Sequence, residues 1–462
     1  MALPLNYTAS VTLPVSVQES FAYHDRPGCL NRLIPPWESV RLEKSDQSLA
    51  VGSKVVLVTR LMGIPLRWVA EHTRYEPPTL FADTQRSGPF AQWDHEHRFE
   101  SLQADVSRMT DQIEYRLPGG AVGRLLGGWK ARQTIEAMFA YRHRITRDDL
   151  RLTARLPTTP KTVAVSGATG LVGSNLCALL TLLGHHTKAI VRTRTDREDQ
   201  IAIWSDPAEA DKLDDVDVVI HLAGKSIADG RWTSAVKEEI RDSRVEKTRQ
   251  LCETLARRSK KPSVLLCASA SGIYGDRGDE LLDESSDQGS DFLAEVAGEW
   301  ESACQPAIDA GIRVVNLRLG IVISPKGGAL TKMLLPAKLL GGSLGSGQQW
   351  WSWIALDDVL GGIYHAMQRD ELSGPMNLVS PHPIRNADFA KTLGRVLGRP
   401  ALFPAPAFAL RTALGEMADA LLLSSCRVIP SRLESSGYTF RFTDLADQLR
   451  YCLGKERLQS ET

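Results

Sequence analysis

Two periodicities divide the chain. Up to about residue 150 apolar and polar positions mostly alternate, as in strands with one buried face. "YTASVTLPVSV" and "SKVVLVTRL" read as such strands. "LRWVAEHTRYEPPTLFADTQ" predicts strand, turn and strand, with Pro77 and Pro78 at the break. "WDHEHRFESLQADVSRMTDQIEYRLP" predicts two more strands, on which His95, His97 and Phe99 share one face. A helix is expected near Ser16 to Tyr23. "GGAVGRLLGGWKARQTIEAMFAYRHRITRDDL" has helical apolar spacing at Leu126, Trp129, Ile135, Met138 and Phe139. A curved antiparallel sheet closed by one long helix is the simplest assembly. Trp37, Trp68, Phe81, Trp93 and Trp129 then either fill a core or line a cavity.

The Pro/Thr-rich "TARLPTTPK", 153–161, marks a linker after a first domain of 1–152. From 162 strands and helices alternate. "TVAVSGA" and "HTKAIVRT" flank a helix near 171–183, and "VDVVIHLAG" is a further strand. "TSAVKEEIRDSRVEKTRQLCETLAR" predicts one long helix. "PSVLLCASASGIYG" is a buried strand running into a loop, "DFLAEVAGEWESACQPAIDAG" a helix, and "IRVVNLRLGIVIS" a strand. Such alternation predicts a doubly wound parallel sheet over 162–400, followed by a helical segment over 401–455.

With 462 residues, two or three domains are expected. Lys+Arg and Asp+Glu both number 55, so no overall field favours nucleic acid or an anionic membrane. The seven cysteines are scattered, odd in number and without CxxC, which argues against a disulfide framework or a zinc site. A reducing cytoplasm fits that usage. The first twenty residues lack a signal-peptide pattern, and no apolar run approaches the ~20 residues of a membrane span. His95 and His97, two apart on a strand, could ligate a metal, but the spacing shows no third ligand, and no metal is expected.

The strongest chemical signal is "VAVSGATGLVGSNL", 163–176. Gly167 permits a tight turn, Gly170 lets backbone approach a pyrophosphate, and Gly173 lets the helix pack against the strand. The helix N-terminus would present N–H groups to the phosphates. Thr169, Leu171 and Val172 share this turn and join the cofactor-binding set. After the second strand stands "AIVRTRTDR", with Arg192 and Arg194 and no acid at the strand end. A guanidinium can bind a 2′-phosphate that a carboxylate would repel, so NADP is expected rather than NAD. A solvated basic loop is the bland alternative.

Two resemblances follow. The element order of the first ~145 residues resembles the START-like hydrophobic-ligand-binding superfamily, with polyketide cyclases among its members. It implies an α+β helix-grip fold and an apolar ligand. "GATGLVG" at 167–173, "HLAG" at 221–224 and "SASGIYG" at 269–275 resemble extended short-chain dehydrogenases/reductases. "HLAGKSIADGRWTSAVKEEIRDSR", "DFLAEVAGEWE" and "FPAPAFALRTALGEMADALLLSSCRVIPSRL" narrow this to the atypical nucleotide-sugar-epimerase-like family, which has its own C-terminal domain. That family implies NAD(P)-dependent epimerase or oxidoreductase activity. It also implies cofactor contacts from Leu222, Ala223, Gly224, Lys225 and Arg231.

The family's dehydrogenase relatives carry Tyr-x-x-x-Lys on the helix after the SASGIYG loop. Anchoring on Glu301 puts Leu293 at the Tyr position and Ala297 at the Lys position. Neither can move a proton or carry charge. Ser269 and Ser271, at a strand's C-terminal end, are the candidate catalytic groups that would polarise a substrate oxygen, or they cap locally. A water or a substrate group would then carry the proton. Asp276, Asp279, Asp283 and Glu284 read as a solvated acidic loop, and Cys267 as core. "SPKGGALTKM" lacks the ending of a phosphate loop. Trp350, Trp351 and Trp353 either stack on a ring substrate or form a buried strand, and Asp357 and Asp358 are expected to cap a helix. The leading expectation is an NADP-dependent oxidoreductase or epimerase-like enzyme acting on a small molecule. The alternative is a non-catalytic NADP(H)-responsive sensor or scaffold whose first domain binds an apolar ligand.

Overall fold

The computed structural model describes residues 3–61, 63–156, 159–193 and 197–456. They form two compact units. One holds the described residues of 1–158, 178–184 and 450–462; the other holds 159–177 and 185–449.

The first unit contains a seven-stranded antiparallel sheet. Its strands are β1 (Leu5–Leu13), β2 (Arg41–Ser45), β3 (Lys54–Leu61), β4 (Ile64–Glu76), β5 (Leu80–Ser87), β6 (Gln92–Gln103) and β7 (Val106–Arg116). Their spatial order is β1-β7-β6-β5-β4-β3-β2, so only β1 departs from sequence order. Helix α1 (Val17–Asp25) begins where Ser16 accepts the amide of Glu19, as its N-cap position demands. Helix α2 (Cys29–Leu33) follows, and α3 (Gly120–Arg155) is the long helix. Ile135 and Phe139 of α3 pack with Tyr7, Trp93, Ile113 and Tyr115 of the sheet.

The predicted stripe on α3 holds only in part. Ile135 and Phe139 are buried, whereas Leu126 and Trp129 are 82% and 76% exposed. Helical spacing puts residues on one face but cannot say how far along the helix its cover extends. The aromatic set divides likewise: Phe81 and Trp93 are core, and Trp129 is not.

The second unit is built on a parallel sheet of β8 (Thr162–Ser166), β9 (His186–Ile190), β10 (Gln200–Ile201), β11 (Val218–His221), β12 (Val264–Ala270), β13 (Arg313–Leu319) and β14 (Gly374–Leu378). Their order, β10-β9-β8-β11-β12-β13-β14, reverses direction between β8 and β11. That is the doubly wound fold expected, and it opens a crevice at the C-terminal ends of β8 and β11. Residues such as Ala164, Val219, Leu265 and Val314 are buried in one core between sheet and helices. Helix α4 (Leu171–Leu182) follows β8.

Two predictions about this unit change. The single helix expected from 233 is two, α5 (Ser234–Asp242) and α6 (Val245–Ala256). The two meet at Ser243 and Arg244, whose backbones stay in the right-handed helical region and whose side chains hydrogen-bond the backbone of Lys225. The strand expected over 312–324 ends at Leu319, and Ile321–Ile323 pairs with Trp353–Ala355 outside the main sheet. Gly320 makes that step possible, since a Cβ there would lie 2.5 Å from the carbonyl oxygen of Ser352. Beyond 401 the chain forms short helices, among them Ala407–Leu414 and Ser431–Ser435.

Asp149 of α3 ties the first unit's helices together. It accepts from Arg32 Nε and Nη2, each at 2.9 Å, and from Tyr23 Oη at 3.0 Å, all side chains being buried. Asp149→Ala would leave a buried guanidinium without its carboxylate, a loss of about 3–5 kcal/mol. Urea titration followed by circular dichroism should show a loss of that size, and a change below about 1 kcal/mol would refute this role.

Candidate functional site

The site lies where β8 and β11 end. Ser166, the last residue of β8, faces His221 of β11 across the sheet. Its Oγ is 2.6 Å from His221 Nδ1 and accepts the amides of Leu222 (3.1 Å) and Ala223 (3.2 Å). With its two lone pairs so used, the hydroxyl hydrogen goes to Nδ1, and the imidazole is neutral with its proton on Nε2. Burial pushes the His221 pKa down to about 4.

Gly167 follows at φ +70°, and a Cβ there would lie 3.0 Å from the amide nitrogen of Ala223. At Gly173 a Cβ would fall 2.2 Å from the carbonyl oxygen of Gly167, so only glycine lets α4 start this close to the strand. Gly170 donates its amide to that same carbonyl at 2.9 Å. The bond from Ser174 N to Gly170 O opens the helix at 3.0 Å. The amides of Leu171, Val172 and Gly173 therefore precede the helical ladder and are oriented for an anion. Thr169 and Gly170 are exposed at this mouth. Gly327, in the segment after β13, packs on Leu171, where its Cβ would be 3.5 Å from Cδ2. Arg192 is exposed and forms no ion pair among the described residues; Arg194 lies outside them.

The loop after β11 holds the remaining cofactor candidates. Leu222 and Ala223 are anchored by Ser166, as above. Lys225 donates its amide to Ser243 Oγ (3.0 Å), accepts Arg244 Nη2 at its carbonyl (2.9 Å), and pairs its ammonium with Glu239. Arg244 also donates to Ile240 O and lies over the Trp300 ring. No carboxylate pairs with it among the described residues, and burial lowers its pKa to about 10. Any side chain at Gly224 would press on this guanidinium, 3.3 Å from the built Cβ. Arg231 donates to the carbonyls of Ala413 and Thr412, capping helix Ala407–Leu414.

At the ends of β12 and β13 stands a polar network. Ser269, 2% exposed, gives its hydroxyl to Glu301 Oε1 at 2.7 Å. Glu301, on helix α7 (Phe292–Ser302), takes both Arg318 Nε (2.8 Å) and Nη2 (2.9 Å). Arg318 Nη1 donates to Tyr274 Oη at 2.9 Å, and Tyr274 donates to Asn377 Oδ1 at 2.8 Å. Burial pushes the Tyr274 pKa up to about 12. Ser271 begins the short turn Ser271–Tyr274, is half-buried, and its hydroxyl has no partner among the described residues. Leu293 packs beside Gly272, and Ala297 is buried with Ile273 and Tyr274.

Several sequence candidates have structural duties. Asp276 accepts the amides of Gly278 and Ser425, and Glu284 those of Asn377 and Arg432. Asp283 accepts from Ser285. Asp279 takes the indole of Trp350, whose ring is overlain by Arg385 and Arg427 at 4.3 and 4.5 Å, leaving little of it for a sugar. Trp351, Trp353 and Cys267 are buried. Asp358 accepts the amides of Arg441 and Phe442, so it holds a distant segment. The sequence reading named Glu301 only as a landmark and passed over Arg244. No sequence signal marked Arg244, since one unbroken helix was expected there and the division at 243–244 is seen only in the fold.

Comparison with known proteins agrees with this geometry. Residues 163–378 match the NAD dependent epimerase/dehydratase family. Residues 13–139 match the family described as polyketide cyclase / dehydrase and lipid transport, and 405–452 match a domain of unknown function, DUF1731. Epimerase family protein Mb2239 of Mycobacterium bovis is 40% identical over 292 residues, 63% of this chain and 96% of that protein. A crystal structure of the nucleoside-diphosphate sugar epimerase from Corynebacterium glutamicum superposes with a TM-score of 0.81 at 34% identity. It covers 98% of this chain and 91% of that one. Human epimerase family protein SDR39U1 (isoform 2), crystallised with NADPH, is 31% identical with a TM-score of 0.58, covering 63% of this chain and 99% of that one. The chain belongs to the epimerase family, with a polyketide-cyclase-like, START-like domain ahead of the Rossmann-like one. No helix among the described residues is long and apolar enough to cross a membrane.

The buried imidazole sets a pH dependence. Its folded pKa of about 4 lies below the usual 6.5, so between those values the unfolded chain binds a proton that the folded one refuses. His221 thus contributes fully above pH 6.5 and loses that contribution as pH falls. In urea titrations the stability deficit of His221→Asn should shrink by about 2 kcal/mol from pH 7 to pH 5. A pH-independent deficit would refute the neutral buried state.

Proposed function

We propose that the chain binds NADP(H) at the 167–173 turn and carries out an oxidoreductase or epimerase-like reaction on a small molecule. The observation that carries this is the missing Cβ at Gly173, which brings the free amides of α4 against the end of β8 at the sheet's switch point. The residues fit a dinucleotide: the glycines leave room for a pyrophosphate, the amides of 171–173 would hold its oxygens, and Arg192 would hold a 2′-phosphate. NADPH in the human relative supports the phosphorylated cofactor. Bound there, the cofactor supplies hydride chemistry.

Of the two serines, Ser271 is the better donor to a substrate oxygen, because Ser269 already gives its proton to Glu301. Leu293 and Ala297 bring no proton carrier to the site, so water or the substrate itself completes the transfer. Lys225 and Arg231 act in this scheme by shaping the loop beside the cofactor, through Glu239 and through the carbonyls of 412 and 413.

Calorimetric titration of nucleotide-free protein tests the cofactor. NADPH should bind more tightly than NADH, and Arg192→Ala should weaken NADPH by about 1–3 kcal/mol. Gly173→Ala should abolish binding of both, and absence of binding in the wild type would refute the proposal. Once a carbonyl or nucleotide-sugar panel yields a substrate, Ser271→Ala should lower hydride transfer about 10²-fold at unchanged NADPH affinity. An unchanged rate would remove Ser271 from the mechanism.

A further inference from the structure

The inner face of the first unit's sheet carries a second constellation, remote in sequence from the glycine turn. His95 and His97 stand two apart on β6. Asp83 on β5 is the direct cross-strand neighbour of His95, and Asp111 on β7 that of His97. Asp111 Oδ1 lies 2.9 Å from His95 Nε2 and 2.7 Å from His97 Nδ1. Its other oxygen lies 2.5 Å from Nε2 of His143, on α3. One carboxylate thus engages one nitrogen on each of three imidazoles.

The opposite nitrogens of the two strand histidines are left facing Asp83. His95 Nδ1 is 3.7 Å and His97 Nε2 is 4.0 Å from Asp83 Oδ2, too far for hydrogen bonds. The three atoms lie within 4.8 Å of one another. The Asp83 carboxylate makes no hydrogen bond among the described residues, although the side chain is only 17% exposed. The Arg142 guanidinium and His72 lie within electrostatic reach of Asp83, but neither hydrogen-bonds it. A carboxylate and two lone pairs converging on one gap is an arrangement that a cation completes.

We infer that Asp83, His95 and His97 bind a divalent first-row transition ion of the zinc type, with Asp111 positioning both imidazoles from behind. The donor set, two imidazoles and one carboxylate, suits such ions and not magnesium or calcium. A tetrahedral ion with bonds of about 2.1 Å spaces its donors about 3.4 Å apart, whereas here they stand 3.7 Å, 4.0 Å and at most 4.8 Å apart, so binding must draw them together. Side-chain rotation supplies that. For His95, whose Nε2 hydrogen-bonds it, Asp111 plays the part that a carboxylate behind a metal-bound histidine commonly plays, fixing the tautomer that leaves the inward nitrogen unprotonated; His97 Nδ1 lies within ion-pair distance of the same oxygen. Asp83 and His97, the more exposed members, mark the side from which an ion enters, and three protein ligands leave a position for water or a ligand.

The test uses the full chain, stripped with EDTA and desalted. Titration with Zn2+ against a chromophoric chelator should give one ion per chain. Asp83→Asn and His97→Gln should each weaken binding at least about 100-fold, and Asp111→Asn, which touches no ion, about 10–100-fold. Circular dichroism should show the variants folded. X-ray absorption of the zinc-loaded wild type decides without any variant: two imidazoles and no sulfur are expected in its first shell. No zinc uptake, sulfur in the first shell, or folded Asp83 and His97 variants of wild-type affinity would overturn the assignment.

Discussion

The closeness of α4 to the end of β8 is the constraint on which the C-terminal unit's site depends. A Cβ at residue 173 would collide with the carbonyl oxygen of Gly167, and one at 167 would press on the next strand's backbone. Glycine at both positions lets strand, turn and helix meet without an intervening side chain. The helix's first amides then face the crevice where the strand order reverses. Ser166 secures the other wall, since its single hydroxyl oxygen holds the amides of 222 and 223 and its proton goes to His221 Nδ1. The break between α5 and α6 serves the same end. There the side chains of Ser243 and Arg244 hold the backbone of Lys225.

The ends of β12 and β13 are organised differently from the glycine turn. Where the resemblance to dehydrogenases leads one to expect a tyrosine and a lysine stand Leu293 and Ala297, and the polar groups nearby bond to each other. Ser269, Glu301, Arg318, Tyr274 and Asn377 form one buried chain of donors and acceptors. A network satisfied in this way is rigid, and its members are poor proton carriers. Ser271, just beyond it, keeps a hydroxyl uncommitted.

The N-terminal unit repeats the contrast. Arg32, Asp149 and Tyr23 are matched to one another in a buried knot, whereas Asp83 is left facing two lone pairs. The first is a structural solution to burying charge, the second an incomplete one. Exposed Leu126 and Trp129 on α3 show that an apolar pattern can be accurate about a face and silent about its cover.

By itself the sequence determined what depends on neighbours along the chain. Alternation and helical period set the two fold classes, Gly167, Gly170 and Gly173 set the turn, and the absence of Tyr-x-x-x-Lys was visible at 293 and 297. These are local signals, because backbone conformation and residue spacing act over a few positions. Only the tertiary structure decided which side chains were already spoken for. Ser269 read as a donor or a local cap, and its bond to Glu301 exists only once β12 lies beside the helix bearing it; the bonds of Arg231 to the carbonyls of 412 and 413 likewise appear only in the fold. Asp83 could not be matched to His95 and His97 by spacing, since cross-strand neighbours follow from sheet register. Register is a property of the folded sheet, and the pairing of charges, hydroxyls and lone pairs across it arises only there.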